Sequence, residues 1–527
     1  MSRAERRGSC RAPTQLIRGA HDSLPPIPPP LIAPSPAYTN ALAQIAAIRK
    51  RPFPRSWVSE RECMPTENAS APGGAPVTLY LLHALGASAG SFDRLADQLD
   101  GRVRVEGIDL PGFGSLADAT DSSIDATVAH VVAHLGRHAR GRWVLGGHSM
   151  GGKIAALVAS RVLRGDAPLV GLAGLVLMAP SPPRPEPMDE TRRERMLSWV
   201  DGGRISEQDA ETFLAQNTAR PLEPAAHADA VADLRRTSPE AWRAWLETGS
   251  RVDASAEVGT LDLPVLVLAG TDDDDLGAAA QPGLLASVYP RARFVPLDDT
   301  GHLIPLERSA EAAEAIARFV DDEVLLGPVV PADWATLIAG DRVDARVRGI
   351  LNRRAVPDDR GYAPEVLDVA QLTLLREVAD LVVPQDGPAI DVAARVDAQL
   401  ARGEGDGWRS ADLPPDPEAY RAGLDTLAAV WPTEPTARED ALRAAIEGTT
   451  DAAGPLDAAR LKVWLEDVRN DLVRQWLAHP ASMARIGYDG FATGGSPIRG
   501  FVELRLGRRE DWEPAGVGGT VATGDAA

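Results

Sequence analysis

From residue 77 to residue 322 the chain alternates short apolar runs with amphipathic helical periods, and that alternation restricts the fold more than any other feature. Val77–Leu82, Val103–Ile108, Trp143–Leu145, Leu172–Met178, Val265–Ala269 and Arg293–Leu297 read as strands. Between and after them, Ser91–Leu99, Ile124–His138, Met150–Arg164 and Ala310–Val320 read as helices. Strands joined through helices pair parallel, because each crossover returns the chain to the same end of the sheet. Such a sheet is covered on both faces, and its ligands bind beyond the carboxyl ends of the strands. The expected class is α/β with a mostly parallel sheet.

The rhythm breaks twice. Between Ala179 and Leu263 no strand pattern occurs, and helical segments run over Glu190–Val200, Glu207–Gln216, Ala225–Arg236 and Pro239–Thr248, with Trp199, Trp242 and Trp245 among them. Helices inserted there are expected to form a cap, about residues 180–262, over the strand ends; the tryptophans would line a pocket or simply pack the core. The second break follows an expected linker, 323–359. Val366–Val383, Ile390–Leu400, Pro417–Ala429, Arg438–Glu447 and Leu456–Leu477 carry helical periods only, so a separate all-α domain is expected over 360–515. Residues 1–76, rich in Pro and Arg, are expected to be a disordered or loosely packed arm, with Met64 a candidate alternative start, and 516–527 a frayed tail.

Within 77–322 one turn carries chemistry. Trp143–Gly152 reads strand, then Gly147-His-Ser-Met-Gly151, then helix. A serine on so tight a strand-to-helix turn is pushed out of the sheet above a helix N-terminus. Such a nucleophile, Ser149, needs a base to take its proton and an acid to orient that base. Both should follow it in the chain, each on a loop after a strand. Gly270-Thr-Asp-Asp-Asp-Asp275 supplies the acid, with Asp273 preferred over Asp272 or Asp274, and Asp298-Asp-Thr-Gly-His302 supplies the base. Oxyanion donors are expected from the backbone N–H of Met150 and of Leu85, in the loop His83–Ser88. His83 is expected to be structural, and His148 to line the pocket or pack.

These segments, His83-Ala-Leu-Gly86, Asp109-Leu-Pro-Gly-Phe-Gly114, Gly147-His-Ser-Met-Gly151, Gly270-Thr-Asp-Asp273 and Gly301-His302, resemble the serine esterases of the α/β-hydrolase superfamily. The resemblance implies an α/β-hydrolase fold with a helical cap, Ser149, Asp273 and His302 as the triad, and an ester or lactone as substrate. The family usually has His-Gly where this chain has His83-Ala84, and its two opening antiparallel strands are not recognisable before Val77.

A second resemblance lies in the helical part. Leu372-Thr-Leu-Leu-Arg-Glu-Val-Ala-Asp-Leu-Val-Val-Pro-Gln-Asp-Gly387, Trp476-Leu-Ala-His-Pro480, Arg485-Ile-Gly-Tyr-Asp-Gly490, Gly494-Gly495 and Gly500-Phe501 resemble the gluconate 2-dehydrogenase subunit 3 family. It implies an accessory domain without a redox cofactor that docks on a flavoprotein dehydrogenase. A non-catalytic assembly subunit is the alternative reading of the whole chain.

The formal charge of −20 argues against nucleic acid and anionic membrane as partners. No apolar stretch is long enough to span a bilayer, and Arg6-Arg7 is followed by polar residues, so the cytoplasm is the expected compartment. The only cysteines, Cys10 and Cys63, precede the first strand, and no Gly-x-Gly-x-x-Gly opens a βαβ unit; no cofactor is expected. His130, His134 and His138 share one helical face, but no ligand from a second element is evident, and no metal is expected.

Overall fold

The computed structural model describes residues 77–405, 410–451 and 453–490. These all fall within one compact unit of the chain, 67–527. The expected arm, the tail, Cys10, Cys63, Gly494-Gly495 and Gly500-Phe501 lie outside the described residues.

Six strands form one sheet: β1 (Thr78–Leu82), β2 (Arg104–Ile108), β3 (Trp143–His148), β4 (Leu172–Met178), β5 (Val265–Gly270) and β6 (Ala292–Leu297). The order is β2-β1-β3-β4-β5-β6 and every pairing is parallel. Helices α1 (Asp93–Leu99), α2 (Ile124–His138) and α3 (Met150–Arg164) make the early crossovers. The inner strands β3, β4 and β5 are buried along their whole length, which is why they read as unbroken apolar runs rather than as alternating ones. One face of the sheet packs Tyr80, Leu145, Leu175 and Val265 under α2 and α3; the other packs Leu79, Leu81, Val176 and Leu268 under α1 and the later helix at residues 309–319.

The cap is built from α4 (Glu190–Ser198), α5 (Glu207–Asn217), α6 (Pro224–Arg236), α7 (Pro239–Arg243) and α8 (Ser255–Val258). Asp189, Ser206, Glu223 and Ser238 each accept a backbone N–H at a helix start, so four of these helices begin where a short polar or acidic side chain can satisfy an orphan donor. The stretch expected as one helix to Thr248 changes to a π-helical turn over Ala244–Gly249. That turn sets Trp245 toward the strand ends and leaves carbonyls for the buried Lys153 ammonium: Nζ donates to Gly249 O at 3.1 Å and Val252 O at 3.0 Å.

After β5, α9 (Gln281–Leu285), α10 (Ile304–Glu307) and α11 (Ser309–Phe319) complete the sheet's surroundings. The stretch expected as a linker holds two helices, α12 (Ala332–Ala339) and α13 (Ala345–Ala355). They do not simply connect. Asn352 Nδ2 donates to Val162 O and Leu169 O, Arg348 Nη1 to Gly165 O, and Gly349 lies so close to Arg164 that an added Cβ would stand 2.3 Å from its carbonyl oxygen. These short helices escaped a periodicity reading because tertiary packing stabilises them: α13 docks on α3, and α12 packs Trp334 and Ile338 against Val170 and Leu351.

Beyond them α14 (Val369–Val382), α15 (Val392–Ala401), α16 (Asp416–Ala428), α17 (Pro435–Glu447) and α18 (Ala458–Ala478) surround their own core of Leu375, Val396, Leu424, Leu461 and Trp464, while α19 (Pro480–Arg485) packs Met483 and Ala484 against Trp334, Ile338 and Leu351. Buried Asp397 organises the approach to it, accepting from Tyr362 Oη and from the backbone N–H of Glu365, Val366 and Leu367. No helix among the described residues is long and apolar enough to cross a membrane.

Candidate active site

Ser149 stands between β3 and α3 with φ 50 and ψ −115, a left-handed backbone that costs a non-glycine residue about 1–3 kcal/mol. Its neighbours explain how the chain holds it there. A Cβ on Gly147 would lie 2.2 Å from Gly151, and one on Gly151 would lie 2.1 Å from the Leu82 carbonyl oxygen of β1. The flanking glycines are therefore required for backbone approach: neither has a positive φ.

The two later loops converge on the same cleft. Ser149, Asp272, Asp273, Asp274, Asp275 and His302 all line one pocket between the strand ends and the cap. Asp273 is the aspartate that meets the histidine, its Oδ2 2.7 Å from His302 Nδ1. Its other oxygen accepts from the N–H groups of Asp275 (3.1 Å) and Leu276 (3.0 Å), so the carboxylate is fixed at both ends. Burial pushes Asp273 up, but the His302 charge and these hydrogen bonds outweigh it and bring its pKa to about 2. Burial likewise opposes protonation of His302, yet the charge of Asp273, its hydrogen bond and the carboxylate of Glu186 leave the imidazole above its ordinary value.

The cap holds the histidine loop from above. Asn217 O accepts from the backbone N–H of His302 at 2.9 Å and of Leu303 at 3.2 Å. Arg192 donates to Asn217 Oδ1 and pairs with Asp275, so one cap guanidinium neutralises part of the acidic loop. Below, His148 Nε2–H donates to the His302 carbonyl at 2.8 Å; burial lowers its pKa to about 3, so it remains a neutral donor. Buried and hydrogen-bonded to the His302 loop, His148 supports that loop from the core.

Leu85 lines the pocket beside Ser149, while the Met150 side chain is buried in the core. Among the described residues no carbonyl accepts from either N–H. The loop carrying Leu85 takes its positive φ at Gly86 (+77), where a Cβ would strike Leu234 and Trp242 of the cap. Position 84 has no positive φ, so alanine fits where glycine is usual. His83 is structural: Nδ1–H donates to Ala84 O at 2.8 Å and Nε2 accepts from Leu110 N–H at 3.0 Å. Burial lowers its pKa to about 4.

Met188, Met196, Phe213 and Trp245 form the apolar wall of the pocket. Trp199 and Trp242 meet at a tilt of 37° with centroids 6.1 Å apart and do not line the pocket, so two of the three tryptophans pack and one lines.

Glu186 was not legible in the sequence, lying in a proline-rich loop with no motif. Half-buried beside the histidine, it accepts from Ser181 Oγ at 2.7 Å, and burial raises its own pKa. Since its negative charge favours the imidazolium, Glu186→Gln is expected to lower the His302 pKa. NMR titration of histidine-labelled protein reads this directly; an unchanged or higher value would show that Glu186 does not act on the ring.

Comparison with known proteins agrees with this architecture. Residues 79–319 match the Alpha/beta hydrolase family. A pimeloyl-[acyl-carrier protein] methyl ester esterase of Nitrosomonas europaea is 25% identical over 231 residues, which cover 42% of this chain and 88% of the relative. The polyketide synthase ThaQ of Burkholderia thailandensis is 29% identical over 255 residues, 47% of this chain but only 12% of that protein. Among solved structures, a thermophilic esterase from Thermogutta terrifontis is 26% identical, covering 47% of this chain and 90% of its own, with a TM-score of 0.39. The family match ends at residue 319, so the helices after residue 360 fall outside it. Residues 79–319 thus form an alpha/beta hydrolase domain, with esterases among its relatives.

Proposed function

We propose that this domain is a serine hydrolase that cleaves an ester or related acyl bond through an acyl-enzyme. The observation that carries the reading is the 2.7 Å pairing of His302 with Asp273 on the wall that also bears the strained Ser149. Ser149 Oγ attacks the carbonyl carbon while His302 takes its proton, and the imidazolium returns that proton to the leaving oxygen. A water then repeats the cycle on the acyl-enzyme. Asp273 keeps the proton on Nδ1, so that Nε2 is the free base. The N–H groups of Met150 and Leu85 stabilise the oxyanion, each worth about 3 kcal/mol in sites of this kind. The apolar wall of Met188, Met196, Phe213 and Trp245 favours an uncharged acyl chain or a lactone over a small ionic substrate. A fluorophosphonate probe should label the folded protein and fail to label Ser149→Ala; folded wild type that resists the probe would favour the non-catalytic scaffold instead.

For the helices after residue 360 we propose docking on a flavoprotein dehydrogenase, supported by the motifs at Leu372–Gly387, Trp476–Pro480 and Arg485–Gly490. A lactone released by sugar oxidation would then reach the hydrolase directly. Co-purification of an FAD-containing partner with the intact chain, lost when the helical part is removed, tests the idea; a chain that runs alone at every salt concentration refutes it.

A further inference from the structure

The face of α2 that carries recurring histidines acquires, in three dimensions, the ligand from a second element that the sequence did not reveal. Glu106, in the edge strand β2, lies beneath His134 and His138. One ligand atom from each of the three residues falls within 4.8 Å of the other two. His134 Nε2 is 2.7 Å from Glu106 Oε1, and His138 Nδ1 is 3.9 Å from the same oxygen. We propose that Glu106, His134 and His138 form a binding site for a divalent transition ion of the zinc type, separate from the pocket of the hydrolase triad and independent of its role.

Several features favour an ion over a plain ion pair. The two imidazoles come from adjacent turns of a fifteen-residue helix and stack at 4.3 Å with 20° between planes. Each ring offers one nitrogen to the cluster, the atom through which imidazole binds zinc. The His134–Glu106 bond accounts for only two of the groups; among the described residues, His138 has no polar partner nearer than Glu106. Tetrahedral zinc at about 2.0–2.1 Å from each ligand requires roughly 3.4 Å between ligands. The two separations to Glu106, 2.7 and 3.9 Å, bracket that value, and the ion would replace the proton between His134 and Glu106.

The setting is also preorganised. Tyr80, the register partner of Glu106 in β1, packs edge-on against His134 at 6.4 Å and limits its rotation. Side-chain exposures of 20% for His134, 24% for Glu106 and 48% for His138 leave a path for the ion to enter. Nitrogen ligands select zinc, copper or nickel over magnesium and calcium. Bound there, the ion would clamp β2, whose one strand neighbour among the described residues is β1, to α2.

The intact chain, stripped with chelator, should take up about one equivalent of Zn2+ by calorimetry and give a visible cobalt spectrum on Co2+ titration. Saturating zinc should raise Tm by several degrees. Glu106→Gln and His138→Ala should each weaken binding roughly tenfold or more, and His134→Ala should remove it. His138 is half-exposed, so its variant reports on the site without a folding defect. No saturable uptake below about 1 mM Zn2+ would overturn the proposal, because three well-placed ligands bind far more tightly than that. So would unchanged uptake in His138→Ala and Glu106→Gln, which would put the ion elsewhere, for instance on Asp272–Asp275.

Discussion

Replacing Ser149 by alanine is expected to lower kcat for ester hydrolysis by about 10⁶-fold while the protein stays folded. The size follows from the chemistry: without Oγ no acyl-enzyme forms, and His302 and Asp273 have nothing to activate. The fold should survive because the Ser149 side chain makes no cap bond to α3, and alanine keeps the same Cβ in the same strained backbone. Steady-state rates on a short-chain ester, with circular dichroism and Tm as controls, check it. A variant keeping a tenth of wild-type activity would remove Ser149 from the mechanism.

Asp273→Asn is expected to cost about 10⁴-fold in kcat. The amide oxygen can take over the N–H groups of Asp275 and Leu276, which leaves its NH2 facing His302 Nδ1. Nδ1 must then accept, so the proton moves to Nε2, and the ring can no longer receive the serine proton. Loss of the carboxylate also removes the main influence that holds the His302 pKa up, so the residual activity should fall off at lower pH than in wild type. The neighbours provide the control. Asp272 and Asp274 line the pocket without bonding His302, and their Asn variants should stay within roughly tenfold of wild type. A larger effect at Asp274 than at Asp273 would reassign the acid.

How much of this was visible in the residues depends on whether the cause is local. The strands and α2, α3 and α11 follow from apolar runs and helical periods, and their bounds in the structure lie within a few residues of those read from the chain. The turn at Ser149 is equally local, since two glycines and an adjoining strand and helix define it. By contrast α13 is held by docking on α3, and α12 by packing on Val170 and α13; no period announced either. The same holds for the π-helical turn at Ala244–Gly249, stabilised by a lysine 96 residues earlier in the chain. Ala84 looked like a departure in the oxyanion loop, yet the left-handed residue there is Gly86, a distinction that only backbone angles make.

The chain on its own determined that a parallel sheet would form, and that a serine, an acidic run and a histidine would each follow a strand. Parallel strands bring their carboxyl ends to one edge, so those loops had to meet. Tertiary structure decided which of four consecutive aspartates faces His302, that Glu186 stands beside that ring, and that Glu106 completes a cluster with His134 and His138. These depend on side-chain direction across segments 28 or 29 residues apart and more, set by packing and strand register, and neither leaves a periodic trace in a sequence.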